Sequence, residues 1–509
     1  MGEEENGSAA ALGTNGNHAL EHEVVPGSEG LSTNHHEGGG GGGTHKDVDA
    51  ATEQITDLNG GGGGAGGGEV VKSWFKASLL WKGSSTFDSF LLAQAAQAGQ
   101  GLLTLPSTFA ELGFAYGAFF MFLYGALGAW SVYILTWLYF EFKARMPIDN
   151  KGHSGRFTFQ YHDVIGGLTG TWGNYFTRFF VMGSLFVASV IQIIASASEL
   201  YYANDNLDKR QWTYVVGAIA LISVFIPSFG HFRWGAILGV FSATFTAIYL
   251  FAASLKHGQI EGVSHTRPND KVVFFTGATY MLYAYGGHGI TIEIMESSRR
   301  PQRYKFVYIG VVLYTWLISY PSAIAPYWAF GETIVRQSNA FGFLPSSPWR
   351  MIAIVLMVLH QSISFIIFVH PIFLLVEKFA RVHHRSMLLR ILVRIPVVVL
   401  VWFVALAIPF FGPINSVMGA VLLTVVVYML PLATFMYAYR TKAARQNSAL
   451  PLPPFLPSWT LMFLFNGVIV LYILVVGAGI GGWASIANLI RQVNTFGFFS
   501  KCYVCPPKA

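Results

Sequence analysis

The chain has 509 residues, of which 32 are Lys or Arg and 26 are Asp or Glu; the resulting 11% charged content compares with about 25% in soluble domains. Residues 1–71 hold 12 of the 26 acids and a single base, Lys46, so the remainder is strongly basic, while 53% of the chain is hydrophobic and 15% aromatic. This balance excludes a soluble globular domain, gives no basis for a nucleic-acid partner, and points to a polytopic protein of the lipid bilayer with cationic loops.

Residues 1–71 carry the glycine runs Gly38 to Gly43 and Gly60 to Gly64 among scattered acids. Such a segment cannot bury enough apolar surface to offset its ordering entropy, and it reads as a disordered cytosolic tail. The opening Glu3, Glu4 and Glu5 do not suit a cleavable signal peptide. A transporter domain is expected over 72–490 and a short extracellular tail over 491–509.

Apolar stretches of bilayer length predict eleven helical spans, near 88–112, 114–140, 175–203, 212–228, 234–255, 272–295, 306–330, 351–376, 390–411, 415–438 and 458–485. The mixed segment Phe157 to Leu168 reads as an interfacial helix before the third span. With the N-terminus in the cytosol, 20 loop bases fall on the cytosolic side and 10 outside. That bias sets the orientation, and an odd number of spans places Cys502 and Cys505 outside the cell. Two cysteines build no disulfide framework; Cys502-x-x-Cys505 reads as a pair that could bridge and trim the tail.

Two spans are interrupted at mid-length. The first contains Ala96-Gln97-Ala98-Gly99-Gln100-Gly101 and then Pro106; the sixth contains Tyr285-Gly286-Gly287-His288-Gly289. Paired interruptions in corresponding spans are the sequence mark of a five-plus-five inverted repeat, an all-α LeuT-like architecture whose substrate lies between the two breaks. Unwound backbone is tolerated in a bilayer only where it lines a protein or water cavity. The exposed helix ends favour an anionic group, so Gln97, Gln100, Gln192, His288, Gly287 and Tyr283 are the candidate substrate contacts, suiting a small organic acid with an apolar or aromatic body. Gly477, Gly479, Gly481 and Gly482 in the last span bring no polar side chains and read as close-packing positions.

Ionisable groups within spans are costly and therefore site candidates. His288 titrates in the physiological range and is the leading proton carrier. Glu293, beyond it, reads equally as a relay or a structural pin, and His360 of the eighth span as a group facing a coupling-ion site. His360 and Gln361 are adjacent, project about 100° apart, and cannot point at one place. Glu199 is placed near the outer end of the third span, where it would meet water as readily as protein. No zinc spacing, phosphate loop or nucleophile elbow is present, so no enzyme, metal or cofactor is expected.

Several stretches resemble the plant auxin influx carriers, in order from about residue 80 to the C-terminus: Leu102-Leu103-Thr104-Leu105-Pro106, Ser189-Val190-Ile191-Gln192, Leu207 to Tyr214, Phe225 to Phe229, Phe275 to Thr279, Gly286-Gly287-His288, Tyr327 to Gly331, Pro409 to Ser416, Gly481 to Ser485 and Phe499 to Tyr503. The resemblance implies an amino acid/auxin permease with eleven spans in a five-plus-five repeat. It implies import of indole-3-acetic acid across the plasma membrane by alternating access, driven by the proton gradient. It matches His288 to the family's sixth-span histidine and Gln97, Gln100 and Gln192 to its polar pocket positions. The chain departs from the pattern at Ala96, Ala98, Gly99 and Gly101, where the family's break reads Asn, Val, Ala and Val, and at Glu199 and Tyr280, where asparagine is usual. A neutral or aromatic amino-acid permease coupled to protons or sodium, and an auxin-binding transceptor without sustained transport, are the alternatives.

Overall fold

The structure is a computed structural model that describes residues 85–99, 101–146, 159–226, 233–335, 337–383 and 385–505. The expected glycine-rich tail and Gln100 lie outside the described residues. Every regular element among the described residues is helical.

The first predicted span is two helices, α1 (Thr86–Gln97) and α2 (Gly101–Leu112). Ser85 and Asp88 start α1 with reciprocal side-chain to backbone bonds of 3.1 and 2.9 Å, satisfying N–H groups that the helix leaves open. After Gln97 the backbone turns extended at Ala98 (φ −100°, ψ 119°). Next come α3 (Phe114–Arg145), the short α4 (Tyr161–Thr169) and α5 (Thr171–Ala203). α4 is the predicted interfacial helix, shifted four residues from its expected start; Tyr161, His162 and Val164 are buried, so it packs into the bundle. α6 (Lys209–Ala220) ends in a 3₁₀ turn, Leu221–Phe225, and α7 (Arg233–His257) follows.

The sixth predicted span is divided like the first. α8 (Lys271–Ala284) gives way to a 3₁₀ turn, Gly287–Ile290, and to α9 (Thr291–Ser297). Then come α10 (Tyr304–Phe330), α11 (Pro348–Phe379), α12 (Met387–Ala407), α13 (Phe411–Ala438) and α14 (Trp459–Phe496). α13 and α14 contain π-helical stretches, Met418–Met429 and Ile473–Gly481.

Eight stretches among the described residues, α3, α5, α7, α11 to α14 and Pro301–Ile334 around α10, are long and apolar enough to cross a membrane. The other three predicted spans, the first, fourth and sixth, are short or interrupted. Leu388, Leu392, Leu400 and Phe403 of α12 and Leu464, Val468 and Leu471 of α14 are exposed, a belt that water would not tolerate and lipid would. The chain is a multi-pass membrane protein. With lipid as apolar as leucine, the helices associate through close packing and internal hydrogen bonds. Gly481 admits Thr279 where a Cβ would overlap it, and a Cβ on Gly477 would lie 3.2 Å from Leu282. The last-span glycines at these two positions are thus packing positions, as expected.

One expected boundary is corrected. The last helix runs eleven residues beyond 485, to Phe496, where Gly497 (φ +75°) caps it by donating to the Val493 carbonyl; that left-handed backbone suits glycine. The segment beyond it is bound to the bundle: Phe499 N donates to Ala407 O at 3.1 Å, Arg210 N to Lys501 O at 3.2 Å, and Lys209 Nζ to Tyr503 O at 2.7 Å. Cys502 and Cys505 form a disulfide. Burial pulls the Lys209 ammonium down to about 7.

Candidate functional site

The two breaks face one another across a buried cavity, lined among others by Gln97, Gly99, Gly101, Gln192, Tyr283, Gly287 and His360. Five elements supply the walls: the α1–α2 break, the α8–α9 break, α5, α11 and the π turn of α13. On α5 the lining residues Ser184, Leu185, Ala188 and Gln192 repeat at helical spacing, so one face of the helix is turned inward. Phe368, Met418 and Leu423 complete an apolar side. Among the described residues, none that lines the cavity is acidic.

Gln97 joins the breaks. Its Nε2 donates to Ala284 O, the last carbonyl of α8, at 2.6 Å. Its Oε1 accepts from Gly287 N at 3.1 Å and from the Tyr308 hydroxyl at 2.9 Å. One side chain thereby replaces two of the backbone bonds lost by unwinding the sixth span. A second N–H of the Gln97 amide is left for a ligand. Gln192 is buried with an unpartnered Oε1.

His288 is fully buried but does not line the cavity. Its Nε2 lies 3.0 Å from Gly128 O of α3 and its Nδ1 3.4 Å from the Tyr308 hydroxyl. The ring therefore faces Gly128 and Tyr308, and Tyr308 in turn bonds Gln97. Glu293 is also removed from the cavity, buried on α9 with both carboxylate oxygens unpartnered. His360 does line it, its Nδ1 2.8 Å from Gly239 O and its Nε2 3.2 Å from Ser364 Oγ, which donates to Ala95 O at 3.1 Å. A Cβ on Gly99 would overlap His360 Nε2, so the ring reaches this place because the break has glycine there.

Glu199 is not near water. It is fully buried, and its Oε1 accepts from Gln361 Nε2 at 2.9 Å. As the helical geometry requires, His360 and Gln361 face different neighbours, Gly239 and Glu199. Tyr308 was missed by the sequence reading. A tyrosine among the apolar residues of the seventh span is a weak signal, and its role arises from where α10 packs.

The family described as transmembrane amino acid transporter protein matches residues 82–476. The chain belongs to this family. Among curated relatives, auxin transporter-like protein 2 of Medicago truncatula is 46% identical over 431 residues, covering 84% of this chain and 89% of the relative. Auxin transporter protein 1 of Arabidopsis thaliana is 44% identical over 434 residues, covering 85% and 89%. Auxin transporter-like protein 1 of the same plant is 44% identical over 460 residues, covering 90% and 92%. The resemblance to the auxin carriers thus extends along nearly the whole transporter, whose relatives are transporters and not enzymes.

Proposed function

We propose that the transporter imports indole-3-acetic acid, or a closely related small organic anion, across the plasma membrane together with protons. In this reading it has eleven spans in a five-plus-five repeat with a cytosolic N-terminus, and works by alternating access between its two repeats. The support for the repeat is the matched division of the first and sixth predicted spans, with α14 outside it.

The observation that carries the substrate reading is the make-up of the cavity. Tyr283, Phe368, Leu185, Met418 and Leu423 offer a wall for an aromatic ring, while Gln97, Gln192 and the broken helix ends offer donors for a carboxylate. An amino acid would also need acceptors for its ammonium group. Among the described residues no carboxylate lines the cavity, so an ammonium group would meet only neutral acceptors such as Gln192 Oε1 and the break carbonyls. Tyr308 links His288 to the Gln97 amide. While His288 Nδ1 is unprotonated, the single Tyr308 hydroxyl proton is shared between Nδ1 and Gln97 Oε1; when Nδ1 takes a proton it donates to Tyr308, and the hydroxyl proton is committed to Gln97 Oε1. The charge then stands behind the amide that faces the cavity, favouring an anion there; loss of the proton to a more alkaline cytosol removes that preference. His360 is the second candidate carrier, in the cavity wall.

The test is uptake of labelled auxin and labelled neutral amino acids by cells expressing the chain, with and without an uncoupler. Saturable auxin uptake that rises as external pH falls, collapses with the uncoupler and loses its pH response in His288→Ala is the expected result. Transport of amino acids instead, or a full pH response in His288→Ala, rejects the substrate or the role of His288 respectively. Binding of auxin without accumulation would identify the transceptor.

A further inference from the structure

Leading away from the central cavity, the face of α5 that meets α11 carries Gln192, Ser196 and Glu199, at positions i, i+4 and i+7 of one helix. Gln192, Ser196 and Gln361 line a groove between α5, α6 and α11 together with Ser223. Gln192 also lines the central cavity, so this polar stripe connects the cavity to the Glu199–Gln361 pair. Polar side chains inside a bilayer protein need a purpose or a partner, and the partners here are incomplete. Glu199 Oε2, Gln361 Oε1 and Gln192 Oε1 are three buried acceptors without a donor. The shortage is of protons rather than of polar atoms.

We propose that Glu199 is a proton-carrying carboxyl, separate from His288 and His360, whose protonation state sets how tightly α5 is held to α11. This rests on the reading that the chain moves protons with its substrate. A carboxyl and a carboxamide form a closed pair of hydrogen bonds only when the acid bears its proton: the amide N–H donates to one carboxyl oxygen and the acid O–H to the amide oxygen. The first bond is present, Gln361 Nε2 to Glu199 Oε1. A proton on Oε2 supplies the missing donor for Gln361 Oε1. Ionised, the carboxylate keeps one bond and leaves the amide oxygen unpaired, so the two helices are less firmly joined. The proton comes from bulk water and returns to it; no other bond is made or broken.

The surroundings leave this role to the pair alone. On α11, His360 is directed to Gly239 and Ser364, and Arg350 donates to Tyr202 O and Phe341 O. On α6, Lys209 donates to Tyr503 O and Tyr202 OH, and Arg210 to Phe499 O. On α12, Arg390 and Arg394 bind Glu377. The turn Ala340–Gly342 has no titratable side chain, and Asn339 before it contacts Ser198. Among the described residues no ion pair is formed by Glu199.

Infrared difference spectra of the purified full-length protein in lipid vesicles, recorded against pH with no substrate present, test the proposal. A protonated-carboxyl carbonyl band that fades as pH rises, is absent from Glu199→Gln and is displaced in Gln361→Leu is expected. In vesicle uptake, Glu199→Gln should lose part of the dependence on an imposed pH gradient while its amide still pairs with Gln361. No titrating band assignable to Glu199, or a wild-type pH dependence in Glu199→Gln, overturns the proposal. Should Glu199→Gln fail to fold, displacement of the wild-type band in Gln361→Leu decides. A titrating band in a protein that does not carry auxin leaves the proton site standing and removes the substrate reading; proton-driven auxin uptake without the band does the reverse.

Discussion

At the scale of single residues, Gln97 and Gln192 both line the cavity, yet their surroundings give them different duties. Gln97 has its amide engaged with Ala284, Gly287 and Tyr308, so Gln97→Ala removes bonds that hold the two breaks together as well as a ligand donor. Gln192 lines the cavity and bonds to neither break among the described residues, so its amide N–H groups are what it offers a carboxylate. Losing a hydrogen bond to a charged group costs about 1.5–3 kcal/mol. Gln192→Ala should therefore weaken apparent auxin affinity by about tenfold to a hundredfold with unchanged thermal stability, whereas Gln97→Ala should lose both affinity and stability. Competition binding and melting in detergent, measured on the same preparations, distinguish the two. Equal behaviour of the variants would remove the distinction. The sequence marked both glutamines by type and place, but nothing in it separated a clamp from a contact, because that depends on which carbonyl lies opposite.

At the scale of elements, α11 and α12 are joined at one end by a buried charge cluster. Glu377 of α11 accepts from Arg394 Nε at 2.7 Å, pairs with Arg394 Nη2 at 2.6 Å and Arg390 Nε at 3.0 Å, and lies 2.9 Å from His383 Nδ1, while Arg394 also donates to Val224 O and Ile226 O after α6. Three segments meet on one guanidinium. Removing one member of a buried pair strands the other and costs roughly 3–5 kcal/mol, so Glu377→Ala should lower the melting temperature sharply. A melting temperature within a degree or two of the wild type would show that water reaches Arg394. The opposite case is Asp270, which caps α8 and accepts from Arg491 of α14 at 2.6 Å. That guanidinium holds the Asp270 carboxyl below its ordinary range. A depressed acid pKa stabilises above the ordinary value of about 3.9 and loses the effect as pH falls below it. The pair is solvent-exposed, so its contribution is at most about 1 kcal/mol. Asp270→Asn should melt like the wild type at pH 7, and any difference should vanish in strong acid.

At the scale of the whole molecule, the bias of loop bases toward the N-terminal side predicts a cytosolic N-terminus and an extracellular C-terminus. An epitope placed after Ala509 should stain intact cells, and staining only after permeabilisation would reverse the topology. The Lys209 and Arg210 contacts bind residues 497–505 to the start of α6, and the disulfide closes a loop within that segment.

Composition and apolar runs by themselves determined that the chain lives in a bilayer, where its helices fall and that the first and sixth spans are broken, because lipid imposes a minimum apolar length and glycine next to polar residues interrupts it. The tertiary structure decided which polar groups meet. His288 lies in the break but turns toward Gly128; Glu199, placed near water by its position along α5, is sealed against Gln361; and the C-terminal segment, read as a short tail, is held by Lys209. Side-chain direction and partner depend on helix rotation and on contacts with elements distant in sequence, and a one-dimensional pattern carries the first weakly and the second not at all.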